Sequence, residues 1–226
     1  MLKQILKKMF SRMGYSIRRL SIFEKLLERE LEHGDPFTFV QVGANDGISF
    51  DDLFHFVTKH NTSGLVIEPL SDMFERLQYN YRSFPEIKPV RVAIHPTASS
   101  VTIHRVNPSS EPDLPAWATG IGSINPDWHK NTNIPTTDMI AEEVPAIHLM
   151  DLLNQYSITR LNLLQIDVEG FDSEIIKMID FTAISPSIIK YETPVHSENE
   201  ITQLLHHLGY KTQYVGTDTI AWKGLV

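Results

Sequence analysis

Residues Phe37–Gly47 read FTFVQVGANDG, and a second short run, Gly64–Glu68, reads GLVIE. The first begins with apolar, β-branched and aromatic residues of the kind that fill a buried parallel strand. It then breaks into Gly43-Ala44-Asn45-Asp46-Gly47, and a helical pattern follows over Phe50 to Lys59. Strand, glycine turn and helix is how an open α/β sheet makes a ligand crevice at the carboxyl end of its first strand. Glycine at 43 and 47 lets the backbone turn sharply and lets a ligand come close to it. Glu68 follows about twenty residues further on, the spacing at which dinucleotide folds hold a ribose. A carboxylate there can accept two charge-strengthened hydrogen bonds from vicinal hydroxyls. Taken singly, the glycines make a tight turn and Glu68 caps a helix; in register, the three features favour a nucleoside-cofactor site.

The glycine pattern is G-x-x-x-G, which is neither the G-x-G-x-x-G of dinucleotide enzymes nor a phosphate loop ending in G-K-[ST]. No lysine follows the turn, and Asp46 sits inside it. An acid in that position repels a pyrophosphate but suits a cofactor that is cationic there. S-adenosylmethionine, with its sulfonium and its amino-acid ammonium, meets that description. The same two features weigh against a nicotinamide-dependent oxidoreductase.

Working outward, an amphipathic helix is expected over Ser21–Leu31, closed by Gly34-Asp35-Pro36 before the first strand. The second strand ends at Glu68-Pro69, and a helix over Ser71–Tyr81 sets Phe74, Leu77 and Tyr81 on one face. A third strand is expected over Val90–His95. Three strand–helix units in succession predict a doubly wound, mostly parallel sheet. Between Pro96 and Pro145, which carry seven of the thirteen prolines, only Val101–Val106 reads as a strand. That span, with Trp117 and the glycine-bearing TGIGS run at 119–123, is expected to be an irregular substrate-side insertion. A strand over Val144–His148 and a helix over Met150–Gln155 come next.

The second informative stretch is Leu161–Gly170, LNLLQIDVEG. It starts fully apolar and emerges into Gln165, Asp167 and Glu169, which on a strand would share one face. Its plainer reading is that these acids cap the helix expected over Asp172–Met178. Pro186–Glu192 reads as a fifth strand, and a helix over Glu198–Leu208 closes on Gly209. Two runs, Lys211–Val215 and Thr219–Lys223, flank Gly216-Thr217-Asp218 as a β-hairpin would, adding an antiparallel edge.

The 226 residues suit one domain, residues 35–226, with an N-terminal appendage over 1–34. That appendage is basic: residues 1–32 hold eight Lys/Arg against four Glu, a net of +4, so the remainder must carry −12 to give the formal −8. Apolar Leu2, Ile5, Leu6, Met9, Phe10 and Met13 recur there at helical spacing between lysines and Arg12. Such a helix packs on its own domain, or through residues 1–20 touches an anionic membrane or a protein partner. No apolar run matches a membrane span. Cysteine is absent, which agrees with a cytoplasmic setting. The acidic body argues against nucleic acid as partner, because phosphate contacts need clustered Lys and Arg.

VGANDG, VIEP, TGIGS, QIDVEGFD and the late YE, in this order over Phe37–Lys223, resemble the FkbM family of S-adenosylmethionine-dependent methyltransferases. The resemblance implies a seven-strand Rossmann-like sheet with a C-terminal antiparallel hairpin. It implies that Gly43, Asn45, Asp46 and Gly47 line the methionine end of the cofactor, that Glu68 holds the ribose, and that Ala93 lies near the adenine. Asp167 and Glu169 would face the transferable methyl and the acceptor, a small-molecule or glycan hydroxyl. Two positions depart from the pattern. Gln41 stands where many methyltransferases carry an acid, leaving Asp46 as the expected ammonium anchor. Gln165 stands where many members carry lysine, which should leave Asp167 the more basic.

Methyl transfer to such a hydroxyl needs alignment and removal of a proton. Asp167 is the first candidate for the base and Glu169 the second, ahead of Glu192 and His196. A divalent cation shared by Asp167, Glu169 and Glu192 is an alternative way to lower the hydroxyl pKa, which nothing in the spacing demands. No metal site is assigned. No N-P-P-[YF] run points to a base-modifying enzyme. From another class, the rival is a nucleoside-binding scaffold without turnover.

Overall fold

The computed structural model describes residues 20–32, 36–49, 51–193 and 200–224. The amphipathic segment expected near the N-terminus, apart from Leu20, and His196 lie outside the described residues.

A helix, α1 (Ile22–Glu32), precedes the first strand, β1 (Phe37–Val42). Its start is a capping box: Glu24 N–H donates to Ser21 Oγ at 3.1 Å, and Ser21 N–H donates to Glu24 Oε2 at 2.8 Å. The chain continues through α2 (Phe54–Lys59), β2 (Thr62–Ile67), α3 (Ser71–Tyr81) and β3 (Ile87–Val90). After an inserted region come α4 (Leu149–Gln155), β8 (Leu163–Ile166), α5 (Asp172–Lys177), β9 (Ile188–Glu192) and α6 (Glu200–His207). The hairpin β10 (Lys211–Val215) and β11 (Asp218–Trp222) ends it.

The main sheet has seven strands in the order β10-β11-β9-β8-β1-β2-β3. Strands β3, β2, β1, β8 and β9 run parallel, whereas β11 is antiparallel to β9 and β10 antiparallel to β11. The reversed strand is therefore second from the edge, and the edge strand β10 points the same way as the parallel set. Helices cover both faces. Phe23, Leu26 and Leu27 of α1, Val57 of α2, and Leu77 and Tyr81 of α3 pack on Phe37, Phe39, Leu163, Ile188 and Ile220. Leu152 and Leu153 of α4, Ile175 and Ile176 of α5, and Leu205 of α6 pack on Val40, Val42, Leu164, Ile166 and Ile189. Alternate strand residues thus feed two cores, as a two-residue side-chain period requires. Order switches at β1, which lies between β2 and β8, and the ligand crevice of such a sheet opens there. Among the described residues no helix is long and apolar enough to cross a membrane.

Two expectations need correction. The third strand of the main sheet is Ile87–Val90, not Val90–His95. Pro89 lies in it and is tolerated because β3 is an edge. Ala93–Ile94 instead forms β4, which pairs with Ala146 and Ile147 in a second sheet. The inserted region is also more ordered than its prolines suggest. It holds β5 (Ser100–Val106), β6 (Gly122–Ser123) and β7 (Met139–Ile147), giving a four-stranded sheet in the order β4-β7-β5-β6. Pro145 sits within β7, opposite Ser100.

This small sheet is clamped to the main domain by Arg105, a buried residue of β5. Its guanidinium donates to both oxygens of Asp72, in the first turn of α3, at 2.6 and 2.9 Å, and to Glu142 of β7 at 3.2 Å. Glu111 Oε1 lies 3.9 Å away and accepts from Gly120 N–H. A planar fork serving several carboxylates is a task for arginine that lysine performs poorly. Arg105→Met strands these acids, and because Asp72 and Glu142 keep 33% and 26% of their side chains exposed, the loss should fall below the about 3–5 kcal/mol of a fully buried pair. Arg105→Lys should recover only part of it, as read by chemical denaturation.

Candidate active site

The turn after β1 adopts positive φ at Gly43 (78°), Asn45 (49°) and Gly47 (78°). Gly43 is dictated by proximity as well as by φ. A Cβ there would lie 1.8 Å from the Asp167 carbonyl oxygen, so the loops after β1 and β8 come as close as backbones can. A Cβ on Gly47 would strike Leu77 and Tyr81 of α3 at 2.6 and 2.7 Å.

Glu68, at the end of β2, is 4% exposed. Its oxygens accept from Asn45 N–H and Leu70 N–H, both at 2.9 Å, tying the glycine turn to the tip of β2. Burial pushes its pKa up to about 7 despite those bonds. Each oxygen retains a lone pair for a ligand hydroxyl.

Asp46 does not face the crevice. Its carboxylate accepts from Ile48 N–H at 2.9 Å, Ser49 N–H at 2.7 Å and Ser49 Oγ at 2.7 Å, closing its own turn. Burial pushes its pKa up, but the bonds from Ser49 and Ile48 outweigh that and hold it below the usual range. Asn45 bonds across instead, donating from Nδ2 to Thr119 O at 3.2 Å.

On the other side, the ladder persists to Asp167, whose N–H donates to Val42 O at 3.0 Å. The chain then leaves the strand: Glu169 has φ 55° and Gly170 φ 96°. The expected face shared by Gln165, Asp167 and Glu169 therefore ends at Asp167, and a turn aims Glu169. The helix-capping alternative is not met, because no side chain caps α5. Asp172, 2% exposed, accepts from Glu192 N–H at 3.1 Å and Val168 N–H at 3.4 Å.

These loops bound two adjoining cavities. The first is lined mainly by apolar groups, among them Ile67, Leu70, Val92, Ala93, Ile103 and Phe171, with Glu68 at one side. The second is polar, lined by Gln41, Asn45, Ser49, Asp51, Gln165 and Glu169, with Trp117 on its wall. Both share Gly43, Gly120, Gly122 and Asp167. Gly43, Asn45, Glu68, Ala93, Asp167 and Glu169 thus come together around one crevice; Asp46 and Gly47 line neither cavity. The 119–123 segment seals the seam, held by Asn45 at one end and by Ser123 Oγ, which donates to Glu169 O at 2.6 Å, at the other.

The acids repel one another. Burial, then Glu192, Asp167 and Asp172, pushes Glu169 up to about 8. Asp172 stands at about 7, from burial and then Asp167. Asp167 is raised by the protein packed around it and then by Asp218, while Lys190 opposes the shift; its outer surface stays open to the cleft. Among the described residues no three His, Asp or Glu side chains converge as a metal site requires.

Residues 41–212 match the family described as Methyltransferase FkbM domain. The chain belongs to the FkbM methyltransferase family. Among solved structures it is similar to the N-terminal domain of human METTL16 in complex with SAH, at 13% identity and TM-score 0.47, over 96% of this chain and 78% of that one. It is also similar to precorrin-6y C5,15-methyltransferase from Geobacter metallireducens GS-15, at 13% identity and TM-score 0.42, over 84% and 81%. Both likenesses are remote, and nothing about the acceptor follows from them. Among curated proteins none matches the sequence.

S-adenosylmethionine is accordingly the cofactor of this FkbM methyltransferase. The crevice fits it: a backbone cradle at Gly43 that any Cβ would fill, an apolar cavity ending at a carboxylate, and a polar one with the buried, unpartnered carbonyls of Gln41 and Gln165 in its walls. Trp117 stands on the cavity wall within the span expected on the substrate side. Asp51 and Arg105 were not expected as site or clamp residues: Asp51 follows the glycine turn and carried a signal, whereas Arg105 arrives from the inserted sheet and carried none.

Because the folded state holds the Glu169 proton up to about 8, against an ordinary 4.5, the contribution of Glu169 to native stability is fullest at low pH and is lost as pH rises from about 4.5 to about 8. Glu169→Gln should therefore gain progressively over the parent across that window and track it below. Thermal unfolding at constant ionic strength, at several pH values, measures this.

Proposed function

We propose that this chain is an S-adenosylmethionine-dependent O-methyltransferase acting on a hydroxyl of a sugar, glycoconjugate or natural product. The observation that carries the reading is Asp167, which lines both the apolar and the polar cavity. In this reading the adenine lies in the apolar cavity near Ala93, Glu68 accepts from the ribose hydroxyls, and the turn at Gly43–Asn45 passes under the methionine end. When bound, the cofactor supplies an electrophilic methyl on a sulfonium.

The chain's own part is positioning and proton removal. The polar cavity holds the acceptor oxygen on the far side of Asp167 from the adenosine. As its C–O bond forms and the C–S bond breaks, the hydroxyl proton passes to the Asp167 carboxylate. A pKa raised above the ordinary aspartate value makes Asp167 a stronger base than an unperturbed aspartate. Glu169, about 8, is mostly protonated at neutral pH and is better suited to donate a hydrogen bond to the acceptor. Alignment is worth up to ~7–11 kcal/mol and the base ~10²–10⁴-fold.

The acidity of the body favours an acceptor that is not a polyanion. The division at residue 34/35, the role of 96–145 as substrate-side insertion and a cytoplasmic setting belong to the same proposal.

Calorimetry should give micromolar binding of S-adenosylmethionine and S-adenosylhomocysteine, absent for NAD and lost in Glu68→Ala. Binding of NAD alone would overturn the cofactor placement. With tritiated donor and fractionated glycan acceptors, Asp167→Asn should lower kcat by ~10²–10⁴-fold with S-adenosylhomocysteine affinity kept. Full activity in that variant would remove Asp167 as base.

A further inference from the structure

The amino-acid tail of the donor carries a primary ammonium, and the residue expected to meet it, Asp46, spends its oxygens on its own turn. Gln41, where an acid would serve, is neutral. The polar cavity therefore needs another anionic partner for that group. Three carboxylates line it: Asp51, Asp167 and Glu169. Asp167 and Glu169 stand together in the loop after β8, and Glu169 is largely neutral near pH 7. Asp51 stands apart from them, just ahead of α2.

Asp51 is held in place by two hydrogen bonds. Oδ1 accepts from Leu53 N–H at 2.7 Å and Oδ2 accepts from Gln41 Nε2 at 3.2 Å. Each oxygen keeps a lone pair. The Gln41 amide that bonds it is 3% exposed, and its carbonyl Oε1 is buried with no hydrogen-bond partner among the described residues. A buried acceptor left unpaired costs about 1–3 kcal/mol, so its persistence beside a carboxylate in a cavity wall points to a donor that binds there. Gln165, paired with Gln41 in the β1–β8 register, has a second such carbonyl. Lys190, which pairs with Gln165 in register, attracts Asp51 electrostatically, but its Nζ makes its ion pair with Asp218 Oδ2 at 3.1 Å.

We propose that Asp51, with the Gln41 amide beside it, is the anchor for the ammonium of the donor's amino-acid tail. An ammonium has three donors and no acceptor, and this corner offers a charged oxygen pair and amide carbonyls, with no competing hydrogen-bond donor among the described residues besides the bonds named. The anchor is moved by about ten residues, from the strand end to the start of α2, with Gln41 kept as the link. The proposal rests on the S-adenosylmethionine reading above.

The test is calorimetry with two ligands, S-adenosylhomocysteine and its analogue with the α-amino group replaced by hydrogen. Asp51→Asn keeps an acceptor for Leu53 N–H and removes the charge. It should weaken S-adenosylhomocysteine by about 10-fold or more, the scale of a charged hydrogen bond, and leave the deaminated analogue unchanged. Gln41→Glu added to Asp51→Asn returns a carboxylate to the same corner and should restore affinity for the amine-bearing ligand only. Asp46→Asn should show no preference between the two. Equal weakening of both ligands by Asp51→Asn, no weakening of either, or an amine-selective loss in Asp46→Asn instead overturns the proposal. Failure of the parent protein to bind either ligand would instead overturn the cofactor reading itself.

Discussion

The approach of two backbones, Gly43 against the Asp167 carbonyl, is the constraint on which the rest of this site depends. Strands β1 and β8 are parallel neighbours at the point where strand order switches, so their following loops must diverge to opposite faces from almost the same place. A side chain at 43 would push the loops apart and open the seam between the two cavities. With none there, Asp167 stands at the junction, and Gly43 N–H and Ala44 N–H both donate to Ile67 O of β2. The crevice is thus built from three strand ends locked by main chain, with little left to side-chain mobility.

Around that seam the charges are arranged unevenly. One bank, at the tip of β2, holds a single acid, Glu68, satisfied by two backbone donors. The other crowds Asp167, Glu169, Asp172 and Glu192 with one described cation, Lys190, tied to Asp218. Such crowding is costly for a fold and raises the proton affinity of every member. Under the proposed function it is also useful, since it keeps one carboxyl neutral and another basic at the same pH.

The inserted sheet turns a generic crevice into a closed one. Arg105 reaches Asp72 of α3 and Glu142 of β7, and sits near Glu111, whose carboxylate receives Gly120 N–H. The 119–123 segment therefore hangs from a buried guanidinium on one side and from Asn45 and the Glu169 carbonyl on the other. The wall of both cavities and the stability of the small sheet rest on the same ion-pair cluster.

Local pattern was enough to determine the parallel sheet, the glycine turn, Glu68 at its strand end and the terminal hairpin, because each depends on residues within a few positions of one another. It also carried the family motifs. Tertiary structure alone decided the rest. The side chain of Asp46 could turn toward the ligand or back to Ile48 and Ser49, and only the folded turn shows the latter. Strand β8 ends at Ile166 because the chain must clear Gly43, so alternation written through Glu169 stopped early. The ordered insertion depends on pairings such as Val101 with Val144 and Arg105 with Asp72, across dozens of residues. Short-range periodicity cannot register partners that distant, and those partners are what bring Trp117, Gly120 and Asp51 to one cavity.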